Sequence, residues 1–394
     1  MDFNYEYREE WLNEIRVNEW SVMTYAKQFE KPPSKAFRKL ESLLLLKALT
    51  FVDLATLSGD DTTSNVSAAL HPLQAEFVEK ILNSIISLIE KVKSVKPEEE
   101  YNFRISFDKT TNQKYLVKIS GKVASNEREF EDLILEDFLE LKELLFKFDL
   151  LDGDVHEKLT EFLCLKNDIT GYGKKSKKTV RVASICVYPA FVKDIHENLQ
   201  SRGLNKESDR NDSAIAGGFP SGLYDLESKK REILFAKKSG ANEIDIVISR
   251  YLVLGNRWQE LYNEIKVLQR TCDDVIMKTI LSVGECGSLD NVYKASMVAM
   301  MAGSDYIKTS TGKESVNATF TTGIIMCRAI KNFLLKTNTK IGLKPAGGIK
   351  TADDALQWIK LILTELGPEW LSLFRIGASS VVDNIALRLK ELHS

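Results

Sequence analysis

From about residue 179 onward, the chain alternates short apolar runs with amphipathic stretches at a regular spacing. The apolar runs begin near Arg181, Ser213, Glu243, Val275, Asp305, Ile341 and Phe374, 30 to 36 residues apart. Between them, Leu226 to Lys238, Trp258 to Arg270, Asn291 to Met301 and Asp353 to Leu366 read as helices. Alternation at this spacing predicts βαβ units and a parallel sheet. An earlier run, Thr50 to Leu57, is rich in β-branched and aromatic residues and supplies an eighth strand. Eight such strands predict an α/β TIM (β/α)8 barrel, whose chemistry belongs at the C-terminal ends of the strands. An open doubly wound sheet is the alternative. It calls for a GxGxxG turn after its first strand, which Asp53-Leu-Ala-Thr-Leu-Ser-Gly59 does not supply.

The rest of the chain divides around that barrel. Residues 1–49 read as an N-terminal helical extension, with Ser34 placed to cap a helix that runs to about Ala48. The barrel itself takes 50–66 and 179–394. Residues 67–178 form an α+β insertion after the first strand: a helix over Gln74 to Val95, a hairpin over Phe103 to Phe107 and Lys114 to Ile119, and an acidic helix over Phe130 to Phe148. Gly171 to Lys178, Gly-Tyr-Gly-Lys-Lys-Ser-Lys-Lys, reads as a flexible basic linker.

Composition narrows the class further. The 394 residues are 44% apolar and 28% charged, with a formal net charge of −2, so bulk charge offers nothing to nucleic acid or a membrane surface. No apolar run approaches the roughly 18 residues of a membrane span. The acidic, polar opening is unlike a signal or transit peptide. The five cysteines are odd in number and lack CxxC spacing, which fits reduced thiols and a cytoplasmic protein. The four histidines are scattered, so no metal site is expected.

The candidate chemistry is a set of ionisable residues in the barrel strands. Lys308 ends Asp305-Tyr-Ile-Lys, Lys344 follows Ile341-Gly-Leu, and Asp245 lies between isoleucines in Glu243-Ile-Asp-Ile-Val-Ile248. A single strand-end lysine more often carries its ammonium out to solvent than does chemistry. Two lysines and an aspartate aimed at one face are harder to explain by packing. Paired lysines repel, and the relief is for one to become a neutral, nucleophilic amine. Lys278 is the weakest member of the set, with a structural pairing as its other role. The turns Thr311-Gly312-Lys313, Gly347-Gly348-Ile-Lys350 and Gly377-Ala-Ser379-Ser380 are each expected to open a helix. Together they suit a phosphate, since glycine lets backbone N–H groups approach an anion.

Asp305-Tyr-Ile-Lys-Thr-Ser-Thr-Gly-Lys313, Gly342-Leu-Lys-Pro-Ala-Gly-Gly348, Glu243-Ile-Asp-Ile-Val247, Phe51-Val-Asp-Leu-Ala-Thr-Leu57 and Phe374-Arg-Ile-Gly-Ala-Ser-Ser380 resemble deoxyribose-phosphate aldolase, its eukaryotic branch in particular. The resemblance covers about 35–66 and 179–390. It implies a class I aldolase, a carbon–carbon lyase of deoxyribonucleoside catabolism. Such an enzyme cleaves 2-deoxy-D-ribose 5-phosphate reversibly to acetaldehyde and D-glyceraldehyde 3-phosphate. By that resemblance Lys308 forms the Schiff base, Lys344 favours its neutral form, and Asp245 moves protons with a water. Asp53, Thr56, Cys186, Lys278 and Thr309 lie near the substrate. Gly312, Lys313, Gly347, Gly348, Lys350, Gly377, Ser379 and Ser380 hold the phosphate. The imine is the electron sink, so no metal or other cofactor is implied. Cys186 is in addition a candidate for modification by excess aldehyde.

Three departures from the family pattern stand out. Ala55 replaces a threonine, Lys350 stands where bacterial members tend to have arginine, and no late tyrosine precedes Ser394. The 67–178 insertion has no recognised counterpart. It is a candidate lid, homo-oligomer contact or partner-binding surface, beside the plain reading of an elaborated surface subdomain. A Schiff-base aldolase for another sugar phosphate and a non-catalytic barrel that binds through its insertion remain open as alternatives.

Overall fold

The computed structural model describes residues 5–58, 61, 75–94, 103–105, 117–119, 135–151, 153–163, 166–168, 177–201 and 211–394. Eight parallel strands form one sheet: β1 (Val52–Thr56), β2 (Ser184–Val187), β3 (Asn211–Ala216), β4 (Glu243–Val247), β5 (Ile276–Ile280), β6 (Tyr306–Lys308), β7 (Gly342–Lys344) and β8 (Ile376–Ala378). They are hydrogen-bonded in chain order, and β8 returns to pair with β1. Parallel bridges Leu343↔Phe374 and Ala346↔Gly377 join β7 to β8 and bring the sheet nearly to closure. Helices such as Leu226–Lys238, Trp258–Cys272, Leu289–Met301, Phe320–Thr337 and Ala352–Glu365 connect the strands. Side-chain caps start four of them, Asp225, Ser288, Thr319 and Thr351, and the last two form reciprocal capping boxes with Thr322 and Asp354.

The two-residue period of a strand decides what faces where. Leu54, Ile185, Ile244, Ile307, Leu343 and Ile376 belong to the large core between strands and helices, while Leu57, Cys186 and Ile215 form a separate small cluster. The alternate positions point into the barrel, and there the filling is charged. Asp53, Glu243, Asp245, Lys278 and Lys344 are all buried, at 0 or 1% exposure, in a region usually packed with branched aliphatics.

Several N-terminal helices precede the barrel. Ser34 caps Lys35–Lys39 by accepting from the Phe37 N–H at 3.2 Å, and a break at Leu40 separates that helix from Glu41–Leu49. The expected single helix to Ala48 is thus two. Ahead of them, Tyr5 and Trp11 pack edge-on against Phe333.

A large, mostly helical insertion follows β1. Its described parts are the helices Ala75–Ser94, Leu135–Lys147 and Val155–Phe162 and two antiparallel ribbons, Phe103–Ile105 with Val117–Ile119 and Lys166–Asp168 with Lys177–Thr179. The expected turn at Thr111-Asn112 lies outside the described residues, as does most of the predicted linker. Its end does not run free: Lys177 and Lys178 join the second ribbon, where an extended backbone finds ladder partners for its polar groups. Val78, Ile81, Ile85, Ile89, Leu141 and Leu145 are buried in the same core as the N-terminal helices. Ser34 donates to Glu140, Lys47 to the Phe162 carbonyl and Lys80 to the His393 carbonyl. No described helix is long and apolar enough to cross a membrane.

Candidate active site

A cavity of about 370 Å³ opens where β1, β2, β6, β7 and β8 end. Lys308 and Lys344 lie at its base, at 2% and 1% exposure. They are register partners on adjacent parallel strands, so their side chains leave the sheet side by side. Both amines meet the same atom, Asp245 Oδ2, each at 2.7 Å. Lys344 also lies 2.5 Å from Asp53 Oδ2. The other Asp245 oxygen accepts from Lys278 at 3.0 Å and from Ser213 Oγ at 3.5 Å.

Beneath this triad the network continues. Lys278 reaches Glu243 at 2.5 Å, Asp53 at 3.3 Å and the Ser213 hydroxyl at 3.1 Å. Arg375 donates to Asp53 at 2.6 Å and to both oxygens of Glu243, at 2.8 and 3.3 Å. Burial alone would raise the Asp245 carboxyl, but the ammonium groups of Lys278, Lys308 and Lys344 outweigh it and hold it far below the usual range. Asp53 is likewise depressed, burial being overcome by Lys278, Lys344 and Arg375. Conversely, burial pulls Lys278 and Lys344 down, and their carboxylate neighbours more than restore them, so both are raised and stay charged. The network holds four cations, Lys278, Lys308, Lys344 and Arg375, against three anions, Asp53, Glu243 and Asp245.

Other expected site residues separate into two groups. Thr56, Cys186, Gly312, Lys313, Gly347 and Gly348 line the cavity, as do Lys350, Gly377, Ser379 and Ser380. Asp53 and Lys278 do not; they are closed beneath its base at 0% exposure, where they pair with other charges. Thr309 is also fully buried and clamps the next strand's loop, accepting from the Ala346 N–H at 2.9 Å and donating to its carbonyl at 3.2 Å. For Cys186, burial first and the nearby Asp245 charge second push the thiol up, which keeps it protonated and a poor nucleophile.

The three turns do converge, although only two lead straight into helices. Thr351 and Ser380 flank the helix starts after β7 and β8, whereas residues 312–318 intervene before the Thr319 cap after β6. Gly312, Gly347 and Gly348 all take positive φ, near +81 to +84°, where a side chain would strain the backbone. Among the described residues, the N–H groups of Gly348, Ser379 and Ser380 have no acceptor within the protein. The Thr311 and Gly312 amides are different, since both donate to the Glu314 carboxylate. Burial would raise Glu314, but hydrogen bonds from Thr311 and Ser282 lower it.

Glu243, Arg375, Ser213 and Glu314 were not singled out by the sequence reading. A signal existed for two of them: Glu243 and Arg375 stand two positions before Asp245 and Gly377, hence on the same strand face.

This architecture is that of a βα-barrel protein with its candidate chemistry at the C-terminal mouth. Relatives sharpen the class. A model of the DeoC/LacD family aldolases matches residues 168–369. Human deoxyribose-phosphate aldolase is 38% identical over 377 residues, covering 95% of this chain and 89% of the human one. The mouse deoxyribose-phosphate aldolase is 37% identical over 381 residues, with the same coverage. The chain therefore belongs to the DeoC/LacD aldolase family and is a lyase-type enzyme. Among solved structures, a tetrameric deoxyribose phosphate aldolase from Aeropyrum pernix shares the fold at a TM-score of 0.50 and 15% identity, covering 91% of this chain and all of that one.

Proposed function

We propose that this aldolase cleaves 2-deoxy-D-ribose 5-phosphate to acetaldehyde and D-glyceraldehyde 3-phosphate, reversibly, through an imine on Lys308. The single observation that carries this is the shared contact of Lys308 and Lys344 on Asp245 Oδ2, at the base of a cavity of suitable size. The charge count supports Lys308 as the nucleophile. Among the described residues it contacts one carboxylate, against two for Lys344 and three for Lys278.

In this scheme the Lys308 amine attacks the C1 aldehyde of the open-chain sugar, and loss of water from the carbinolamine leaves an iminium. The C2–C3 bond then breaks. Its electrons pass into the iminium as the C3 hydroxyl proton leaves, and glyceraldehyde 3-phosphate departs. Protonation of the enamine at C2 and hydrolysis release acetaldehyde and restore the amine. The Lys344 ammonium supplies the proton that turns hydroxide into a leaving water. Asp245, held ionised, orients both amines and passes the proton between donor and acceptor instead of storing it. The Gly348, Ser379 and Ser380 amides, with Lys313 and Lys350, receive the phosphate.

The test is borohydride trapping with acetaldehyde in the presence of EDTA, followed by peptide mapping. A two-carbon adduct on the Lys308 peptide is expected. Folded protein with no lysine adduct, or with the adduct elsewhere, refutes the assignment. We also assign the chain to the cytoplasm as a homo-oligomer; light scattering of the purified protein checks the assembly, and cell fractionation checks the compartment. Of the insertion, none of the described residues lines the cavity, so a lid function has no support from them.

A further inference from the structure

The turn after β6 holds an acidic residue beside the place where an anion is to dock. The Glu314 carboxylate accepts from the Thr311 N–H at 3.0 and 3.1 Å, from the Thr311 hydroxyl at 2.7 Å and from the Gly312 N–H at 3.2 Å. The Lys313 N–H closes on the Thr311 hydroxyl at 3.1 Å. All three amides of the turn are therefore used internally. Glu314 also acts through its backbone: its carbonyl accepts from Asn317 Nδ2 at 2.9 Å. Asn317 presses on the neighbouring turn, where a Cβ at Gly347 would lie 2.6 Å from Asn317 Cγ. One residue thus ties the β6 turn to itself and braces it against the β7 turn.

A fixed negative charge here weakens phosphate binding by simple Coulomb repulsion, so its presence needs a compensating effect. The compensation is conformational. The exposed Lys313 ammonium rides on a turn with Gly312 in the left-handed region, and an untethered turn of this kind loses entropy each time a ligand orders it. Tethering it beforehand removes that cost from binding.

We propose that Glu314 is a positioning residue for the anionic end of the substrate: its carboxylate holds the Thr311–Gly312 turn so that Lys313 is aimed at a single phosphate. This deepens the aldolase reading and rests on it. The consequence is selective, because the imine chemistry at Lys308 does not need the turn, whereas the phosphate does.

The experiment compares 2-deoxy-D-ribose 5-phosphate with unphosphorylated 2-deoxy-D-ribose in the wild-type chain, Glu314→Ala and Glu314→Gln. For Glu314→Ala the ratio of kcat/KM on the phosphorylated sugar to that on the unphosphorylated one falls about tenfold, mostly through KM. That is the scale of one lost charge-assisted hydrogen bond. Glu314→Gln keeps one carbonyl oxygen as acceptor and shows a smaller fall in the same ratio. It decides the matter alone if the alanine variant does not fold. An unchanged ratio, with both sugars hit equally, reduces Glu314 to a scaffold and overturns the proposal. A raised ratio overturns it too, since the carboxylate would then be competing with phosphate for the amides. Acetaldehyde trapping on Lys308 is run alongside: a wild-type chain that forms no imine sinks both readings, whereas trapping with an unchanged ratio sinks only this one.

Discussion

Lys308 and Lys344 stand level on neighbouring parallel strands and share one carboxylate oxygen, Asp245 Oδ2, each at 2.7 Å. Two amines on one acceptor cannot both be fully neutralised by it. The arrangement distinguishes their roles, because Lys344 has Asp53 as a second anion and Lys308 does not. Lys308→Met is expected to abolish both acetaldehyde release and imine trapping. Lys344→Met is expected to lower kcat by about 10²–10⁴-fold, the range of general acid catalysis, while Lys308 still traps slowly. Steady-state rates and mapped adducts on the two variants check this.

The network also predicts how stability responds to pH. Asp53 and Asp245 are depressed in the folded state, so their contribution is present above the unfolded carboxyl value of 3.8 and is lost only as pH falls below it. Lys278 and Lys344 are raised, so theirs is complete below 10.5 and is lost as pH rises beyond it. Between those limits the four groups contribute a flat profile. Urea unfolding from about pH 4 to about pH 10 measures it. A steep slope near neutrality assigned to these groups by Asp53→Asn and Asp245→Asn would contradict the charge assignments.

Arg375 is a structural member of the set. It holds Asp53 and Glu243 from below and lies behind the cavity base. Arg375→Met leaves two buried carboxylates short of a partner and is expected to cost about 3–5 kcal/mol. Arg375→Lys recovers only part of that, since an ammonium cannot fork between the two acids. Denaturant midpoints for the two variants are the readout.

Gly342 is a packing requirement on β7. A Cβ there would lie 2.2 Å from two carbons of the Tyr306 ring and 2.8 Å from the Leu373 carbonyl oxygen. Gly342→Ala is expected to destabilise by about 1–3 kcal/mol. Adding Tyr306→Ala should relieve part of it, so the double variant loses less than the sum of the two single ones.

Much of the site was legible because a barrel translates sequence into position with little ambiguity. Lys308, Lys344 and Asp245 stand out as charges inside apolar runs, and parallel strands at regular spacing send their ends to one face. The family resemblance counted Asp53 and Lys278 with the substrate. Strand face was readable for them but depth was not, and both lie below the cavity. The Thr309 hydroxyl bonds to the Ala346 backbone, a partner that local sequence does not name, because a hydroxyl at a strand end can turn to a neighbouring loop as easily as to a ligand. The basic stretch ending at Lys178 looked like a linker because pairing with Lys166–Asp168 depends on a partner that no local pattern names.

The sequence by itself determined the periodicities: which residues form strands and which side chains face inward. Those are local properties, set by backbone geometry over a few residues. Closure was decided only in three dimensions. It brings Arg375 to within 2.6 Å of Asp53 across 322 residues, and it assembles seven charges from six strands or strand ends into one network. Whether a buried charge is a reagent, a counter-charge or a brace depends on its neighbours and on the water it has lost. Both are consequences of packing and not of order along the chain.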